Sequence, residues 1–219
     1  MNNMVSGSIV TFNNISTIEK TLETIFTQTK DIDFKLYIVD NGSNDGTPEF
    51  VEKNFPQVSV IRNEKNVGFG AGHNIIINSV KSSYHAIINP DIVLKENVIK
   101  KMVDYMEENQ DIGLLSPRIC FPDGRDQILG KRNPRLKYLV ASRLRGDEPG
   151  KLLREYAMLD CDLSRPIQIE NATGCFMLLR TEVLKKIGGF DDGYFMYFED
   201  ADLTRRVNEV SKCVYYPDA

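Results

Sequence analysis

Phe34-Lys35-Leu36-Tyr37-Ile38-Val39-Asp40-Asn41-Gly42-Ser43-Asn44-Asp45-Gly46-Thr47-Pro48 decides the fold. The apolar run from Phe34 to Val39 reads as a strand. It stops at Asp40-Asn41-Gly42-Ser43, a turn by composition. Thr47-Pro48 then opens a helix, with proline in the first turn, where its missing N–H costs nothing. The same order recurs on both sides. Upstream, Ser8 to Phe12 is a β-rich run. Ser16-Thr17-Ile18-Glu19 has capping-box form, with Ser16 as the expected N-cap. Ile18, Leu22, Ile25 and Phe26 follow at helical spacing, which predicts a helix over 17–28. Downstream come a strand at Val58 to Ile61, a helix at Ala71 to Val80, and a strand at His85 to Ile88 that ends in Asn89-Pro90-Asp91.

Strand and helix in alternation predict an α/β domain built on a mostly parallel sheet flanked by helices. Ligands of such sheets bind beyond the carboxyl ends of the strands. The polar residues just past those ends are Thr11, Asn13, Asp40, Asn66, Asn89 and Asp91, so they are expected on one rim.

The second half is less regular. A helix is expected over 95–108 and a strand from Ile112 to Cys120. Residues 122–170 lose the alternation. Ala172 to Leu179 reads as a strand, Thr181 to Ile187 as a helix closed by Gly188, and Glu199 to Ser211 as a helix. Val214 to Ala219 reads as a last strand. Three acidic residues, Glu199, Asp200 and Asp202, crowd the start of the final helix behind the aromatic run Tyr194 to Phe198. Acidic residues in a first helical turn are favoured by the helix dipole, and Asp202 stands four residues before Arg206. The aromatic run reads equally as core or as a stacking surface for a sugar.

At 219 residues the chain can bury one sizeable core. Its net charge of −4 argues against nucleic acid as the main partner, because phosphate backbones call for a basic surface. Cys120, Cys161, Cys175 and Cys213 form no CxxC pair and read as reduced thiols in a cytoplasmic protein. MNNMVSGSIVTF has no basic n-region, so no signal peptide is expected. No apolar run is long enough to span a bilayer. Within 131–154, however, eight Lys or Arg stand against Asp147 and Glu148. Leu136, Leu139, Val140 and Leu144 would share one helical face there. That segment reads either as an interfacial helix for peripheral contact with anionic lipid or as a solvated insertion.

Together these motifs resemble the family-2 nucleotide-sugar glycosyltransferases of the GT-A (Rossmann-like) fold. The resemblance rests on Ser8 to Asn13, on Ile38 to Thr47, on Asn66-Val67-Gly68-Phe69-Gly70-Ala71-Gly72-His73-Asn74, on Asn89-Pro90-Asp91, and on Gly189-Phe190-Asp191 with Phe198-Glu199-Asp200-Ala201-Asp202-Leu203. It is nearest to the rhamnosyltransferase-like branch that builds bacterial surface polysaccharide. It implies one domain over 1–219: a nucleotide-sugar-binding half over 1–110 and an acceptor-binding, catalytic half over 111–219, interrupted by the basic insert at 122–170. A truncated C-terminus is expected.

The resemblance also implies roles. Thr11, Asn13, Asp40, Asn66, Asn74 and Asn89 would bind the nucleotide-diphosphate sugar, from dTDP or UDP. Asp91 would hold a divalent metal, Mg²⁺ or Mn²⁺, against the diphosphate, although the chain lacks the fuller Asp-x-Asp motif. Asp200 would be the general base of an inverting transfer to a saccharide or lipid-linked acceptor. The glycine-rich stretch is expected to leave backbone N–H groups free for an anion at a helix start. His73 and His85 are assigned no role; a lone His at a helix or strand start is more often structural. Two other readings are a catalytically silent nucleotide-sugar-binding domain and a nucleotidyltransferase. The second calls for a basic glycine-rich loop after the first strand, where Thr11-Phe12-Asn13-Asn14 stands instead.

Overall fold

The computed structural model describes residues 4–143 and 150–219. Its centre is an eight-stranded sheet in the order β3-β2-β1-β4-β7-β5-β8-β6. The first half alternates as expected: β1 (Val5–Thr11), α1 (Ile15–Gln28), β2 (Phe34–Asp40), α2 (Thr47–Asn54), β3 (Ser59–Arg62), α3 (Phe69–Ile77), β4 (Tyr84–Ile88) and α4 (Val98–Glu108). Strands β1 to β4 are mutually parallel, and the register sets Thr11 opposite Asp40. The second half adds β5 (Ile112–Pro117), α5 (Leu136–Arg143), α6 (Lys151–Tyr156), β6 (Ile167–Gln168), β7 (Phe176–Arg180), α7 (Thr181–Lys186), α8 (Glu199–Asn208) and β8 (Lys212–Tyr216). There β7 lies antiparallel between β4 and β5, and β8 runs parallel to β5.

Alternation along the strands buries apolar residues on both faces of the sheet. Tyr84, Ala86 and Ile88 of β4 pack in one cluster with Ile18, Leu22 and Ile25 of α1 and Met102 of α4. Ile87 faces the other side, in a cluster with Leu184 of α7 and Leu203 and Val207 of α8. Arg180 ends β7 inside this framework, 9% exposed. Its guanidinium donates to the Ile112 and Met106 carbonyls and to the Tyr84 hydroxyl, so a cation closes the end of α4.

Helix α1 departs from the expected start. Ser16 lies inside the helix; Asn14 holds the cap position without a side-chain cap bond. The first amide is satisfied from outside, where the Ile15 N–H donates to Asp45 at 3.0 Å. A tertiary carboxylate thus replaces the local capping box. Beyond residue 120 the expected strand to Cys120 ends at Pro117, and the strand expected from Ala172 begins at Phe176. The short β6 lies in the stretch that shows no sequence alternation.

His73 and His85, left without a role by the sequence, are both fully buried. Ser82, Ser6, His85, Ser8 and His73 form one buried hydrogen-bonded row with steps of 2.6–2.8 Å. Burial holds both imidazoles down to about 3. A folded pKa below the unfolded value of about 6.5 means the unfolded chain binds the extra protons, so stability falls as pH drops below neutrality. Between pH 7 and pH 5 the two histidines together should remove about 4 kcal/mol. Urea unfolding across that range checks this. Ordinary carboxylates contribute little above pH 5, and a flat profile would refute the assignment.

Candidate functional site

The rim past β1 and β2 is built around Asp40, which is 2% exposed. Its carboxylate accepts from the Thr11 hydroxyl at 2.9 Å, from the Ser43 hydroxyl at 2.6 Å and from the Ser43 N–H at 2.9 Å. Asn13 stands beside it in the left-handed region (φ 58). Its N–H donates to Ser43 Oγ, and its side-chain oxygen accepts from the Asn44 N–H. Thr11, Asn13 and Asp40 therefore form one connected corner, with Ser43 as a linking residue that the sequence did not single out. Asn66 lies one loop further. Its oxygen accepts from Asn41 and from the Gly68 N–H, while Asn41 also donates to the Gly68 carbonyl.

The glycine-rich stretch does more packing than anion cradling. Helix α3 begins at Phe69, two residues earlier than expected, so Asn74 lies in its second turn. The Phe69 N–H donates to the Phe195 carbonyl at 3.2 Å. A Cβ on Gly68 would strike that carbonyl, one on Gly70 would lie 2.8 Å from Phe190 Cβ, and one on Gly72 would lie 2.8 Å from Val10. The glycines thus let α3 approach the segment 190–195 and β1. Asn74 completes the clamp: its amide donates to the Phe190 carbonyl and to Asp192, and its oxygen accepts from the Phe190 N–H. The Asn74 side chain is fully committed to this loop.

The acidic helix start is tied to the strand-end rim through two consecutive residues. The Gly174 N–H donates to Asp200 Oδ2 at 3.0 Å. The next residue, Cys175, accepts at its carbonyl from the Asn89 N–H at 2.9 Å. Asp200 and the Asn89-Pro90-Asp91 turn are thereby tied to adjacent points of the lead into β7. Burial pushes the Cys175 thiol up to about 11, and the charges of Asp200 and Asp91 both add to this. Gly174 is less confined than the α3 glycines: a Cβ there would lie 3.3 Å from the Phe69 ring and 3.4 Å from Asp200 Cβ. The sequence gives Gly174-Cys175 no motif of its own, only a glycine at a strand entrance.

The three acidic residues differ. Asp202 pairs with Arg206 at 2.7 Å, and Arg206 also donates to the Ile187 and Gly189 carbonyls, so this pair fastens the glycine turn. Glu199 is buried with Oε2 unpartnered; burial, with the Asp200 charge beside it, pushes its carboxyl up. Asp200 is half-buried, with Oδ1 accepting from the Ala201 N–H. The aromatic run before it is not core: Phe195 is 55% and Tyr197 74% exposed. Tyr197 and Phe198 both adopt the left-handed conformation, φ 70 and 69.

A metal would have Asp91 as its side-chain carboxylate. Asp91 is exposed and forms no hydrogen bond or ion pair with described residues, and no group of three or more His, Cys, Asp and Glu side chains gathers among them. That donor set fits a hard oxygen-seeking ion only if diphosphate and water supply most of the shell.

Asn74→Ala should release the loop. Loss of its three bonds is expected to cost about 2–3 kcal/mol. Limited proteolysis should cut 188–198 faster in the variant than in the parent; equal cutting rates would show that the clamp is not limiting.

Comparison with known proteins bears on the chain's family and fold. An L-rhamnosyltransferase of Mycobacterium tuberculosis, which acts on N-acetylglucosaminyl-diphospho-decaprenol, is 27% identical over 210 residues, covering 83% of this chain and 64% of its own. Rhamnosyltransferase WbbL of Escherichia coli is 28% identical over 162 residues, covering 69% of this chain and 58% of its own. The chain thus spans less than two thirds of the length of these curated relatives. Among solved structures, S. aureus TarS 1–349 with UDP-GlcNAc aligns with a TM-score of 0.68 at 17% identity, covering 99% of this chain and 56% of that one. A Pyrobaculum calidifontis mannosyltransferase with GDP-Man and Mn²⁺ aligns at 0.69 and 18% identity, covering 98% and 55%. These likenesses show the GT-A fold. The pattern of Glycosyl transferase family 2 matches residues 8–188, and the chain belongs to that family.

Proposed function

We propose that the chain transfers a sugar, rhamnose in the first instance, from a dTDP or UDP donor to a saccharide or lipid-linked saccharide acceptor in surface-polysaccharide synthesis. The observation that carries this reading is the tie of Asp200 and the Asn89-Pro90-Asp91 turn to Gly174 and Cys175. The tie supports a reading in which a proton acceptor and a diphosphate site share one rim. Family membership and the M. tuberculosis relative, with its rhamnosyl and diphospho-lipid chemistry, support the donor and acceptor classes.

In this mechanism Asp40, with Thr11 and Asn13, receives the base, and a ring N–H can donate to the carboxylate. Asn66 and Asn89 line the way to the diphosphate. Asn74 serves the donor side indirectly, through α3. Asp91 would hold Mg²⁺ or Mn²⁺, which when bound neutralises charge on the diphosphate. Asp200 takes the proton of the acceptor hydroxyl while that oxygen bonds the anomeric carbon from the face opposite the diphosphate. The old C–O bond breaks and its electron pair leaves with the diphosphate, inverting the centre. The exposed rings of Phe195 and Tyr197 offer stacking surfaces to an acceptor sugar.

The membrane reading of 131–154 belongs to the same proposal. In α5, Leu136 is 76% and Val140 51% exposed on a basic segment. Leu144 and Arg145 fall outside the described residues, and the side chain of Leu139 is likewise outside them. Among the described residues no helix is long and apolar enough to cross a membrane. Peripheral contact at the cytoplasmic face suits these features.

Thermal-shift titration against UDP-, dTDP- and GDP-sugars, with and without Mn²⁺, should show stabilisation by UDP or dTDP donors; a preference for NAD would overturn the reading. Asp200→Asn should lower transfer by about 100-fold or more while donor affinity stays within about twofold. Donor affinity lost along with transfer would make Asp200 structural instead. Vesicles containing anionic lipid should sediment the protein in a salt-sensitive way, and no sedimentation at low salt would sink the membrane contact.

A further inference from the structure

The cations of the insert are not equivalent. Arg132 pairs with Asp160 at 3.0 Å, and Lys137 with Glu155 at 2.8 Å. Lys131 is half-buried and pairs with no carboxylate among the described residues. Its backbone is locked on both sides: its N–H donates to the Tyr156 carbonyl, and its carbonyl accepts from the Glu170 and Asn171 N–H groups. Its ammonium stands 4.5 Å from the centre of the Tyr215 ring. A loosely tethered surface lysine would show none of this fixation.

Lys131 lines a cavity of about 500 Å³ together with Arg118, Gln127, Asn171, Thr173 and Tyr215. Arg118, Gln127 and Pro217 also line the adjoining cavity of about 870 Å³, which reaches Asn89, Asp91 and Cys175. Thr173 directly precedes Gly174, the residue that holds Asp200. One trough therefore runs from Lys131 past Arg118 and Gln127 to Asp91. Burial lowers the Lys131 pKa, and the charge of Asp126, which lines the same cavity, does not offset it. Arg118, by contrast, is already paired with Asp126 at 2.6 Å.

A partly desolvated ammonium on the wall of a trough is costly unless an anion joins it. We propose that Lys131 is the anion-binding residue of a diphosphate subsite in this trough, a role that rests on the glycosyltransferase reading above. Diphosphate reaches such an enzyme from two sources, the nucleotide donor and a lipid-diphosphate acceptor. The chemistry that Lys131 recognises is the same for both.

Isothermal titration with UDP, dTDP, inorganic pyrophosphate and citronellyl-diphospho-N-acetylglucosamine, each with Mn²⁺, tests this on the parent, Lys131→Met and Lys131→Arg. The Met variant should weaken at least one diphosphate ligand by about tenfold, and the Arg variant should retain most of that affinity. Uncharged octyl N-acetylglucosaminide should bind all three alike. Loss confined to UDP and dTDP assigns the subsite to the donor; loss confined to the diphospho-lipid assigns it to the acceptor. Unchanged affinity of the Met variant for every diphosphate overturns the proposal and leaves the glycosyltransferase reading standing. A parent protein that binds no diphosphate overturns both. On the unaltered protein, diphosphate should slow acetylation of Lys131 by acetic anhydride, read by mass spectrometry against exposed Lys20. Lys131 acetylated at the same rate with and without every diphosphate also overturns the proposal.

Discussion

The candidate site depends on a pair of backbone hydrogen bonds at the entrance to β7, from Gly174 to Asp200 and from Asn89 to Cys175. They act together because β7 is antiparallel and sits between β4 and β5. A parallel strand in that place would present its other end to the rim. Reversal brings the start of β7 beside the end of β4, so Ile88 and Phe176, far apart along the chain, meet at the same level. Arg180 secures the far end of the same strand through the Ile112 and Met106 carbonyls. One buried strand thus fixes the relative position of the two halves.

The parallel half of the sheet was readable because strand alternation and turn chemistry are local. Phe34 to Asp40 and Tyr84 to Ile88 carry their own apolar runs and end in polar turns. The antiparallel insertion of β7 was not readable, since a strand buried on both faces looks the same in either direction. Nor was the start of α1, where Asp45 supplies from a distance what Ser16 was expected to supply locally.

Site residues divide along the same line. Thr11 and Asp40 lie together because the register of neighbouring strands makes them neighbours. Gly68, Gly70 and Gly72 suggested an anion loop, yet each leaves room for a different partner, and two of those partners lie more than a hundred residues away. A glycine reports only that a side chain is unwelcome. It does not report what occupies the space. The aromatic run 194–198 was ambiguous for a similar reason, since hydrophobicity alone cannot distinguish a core from an exposed contact surface.

That run has one more property. Two successive non-glycine residues, Tyr197 and Phe198, hold left-handed backbone immediately before α8. Such conformations cost of order 1–3 kcal/mol apiece, so the surrounding contacts must over-determine them. The contacts that do so include the Phe195 carbonyl on the start of α3. The loop therefore resembles a latch held under tension: its resting position is set by α3, and whatever displaces α3 from Phe195 removes part of what keeps the backbone strained. The helix bearing Asp200 begins at the next residue, so the tension is stored two residues before the Asp200 carboxylate.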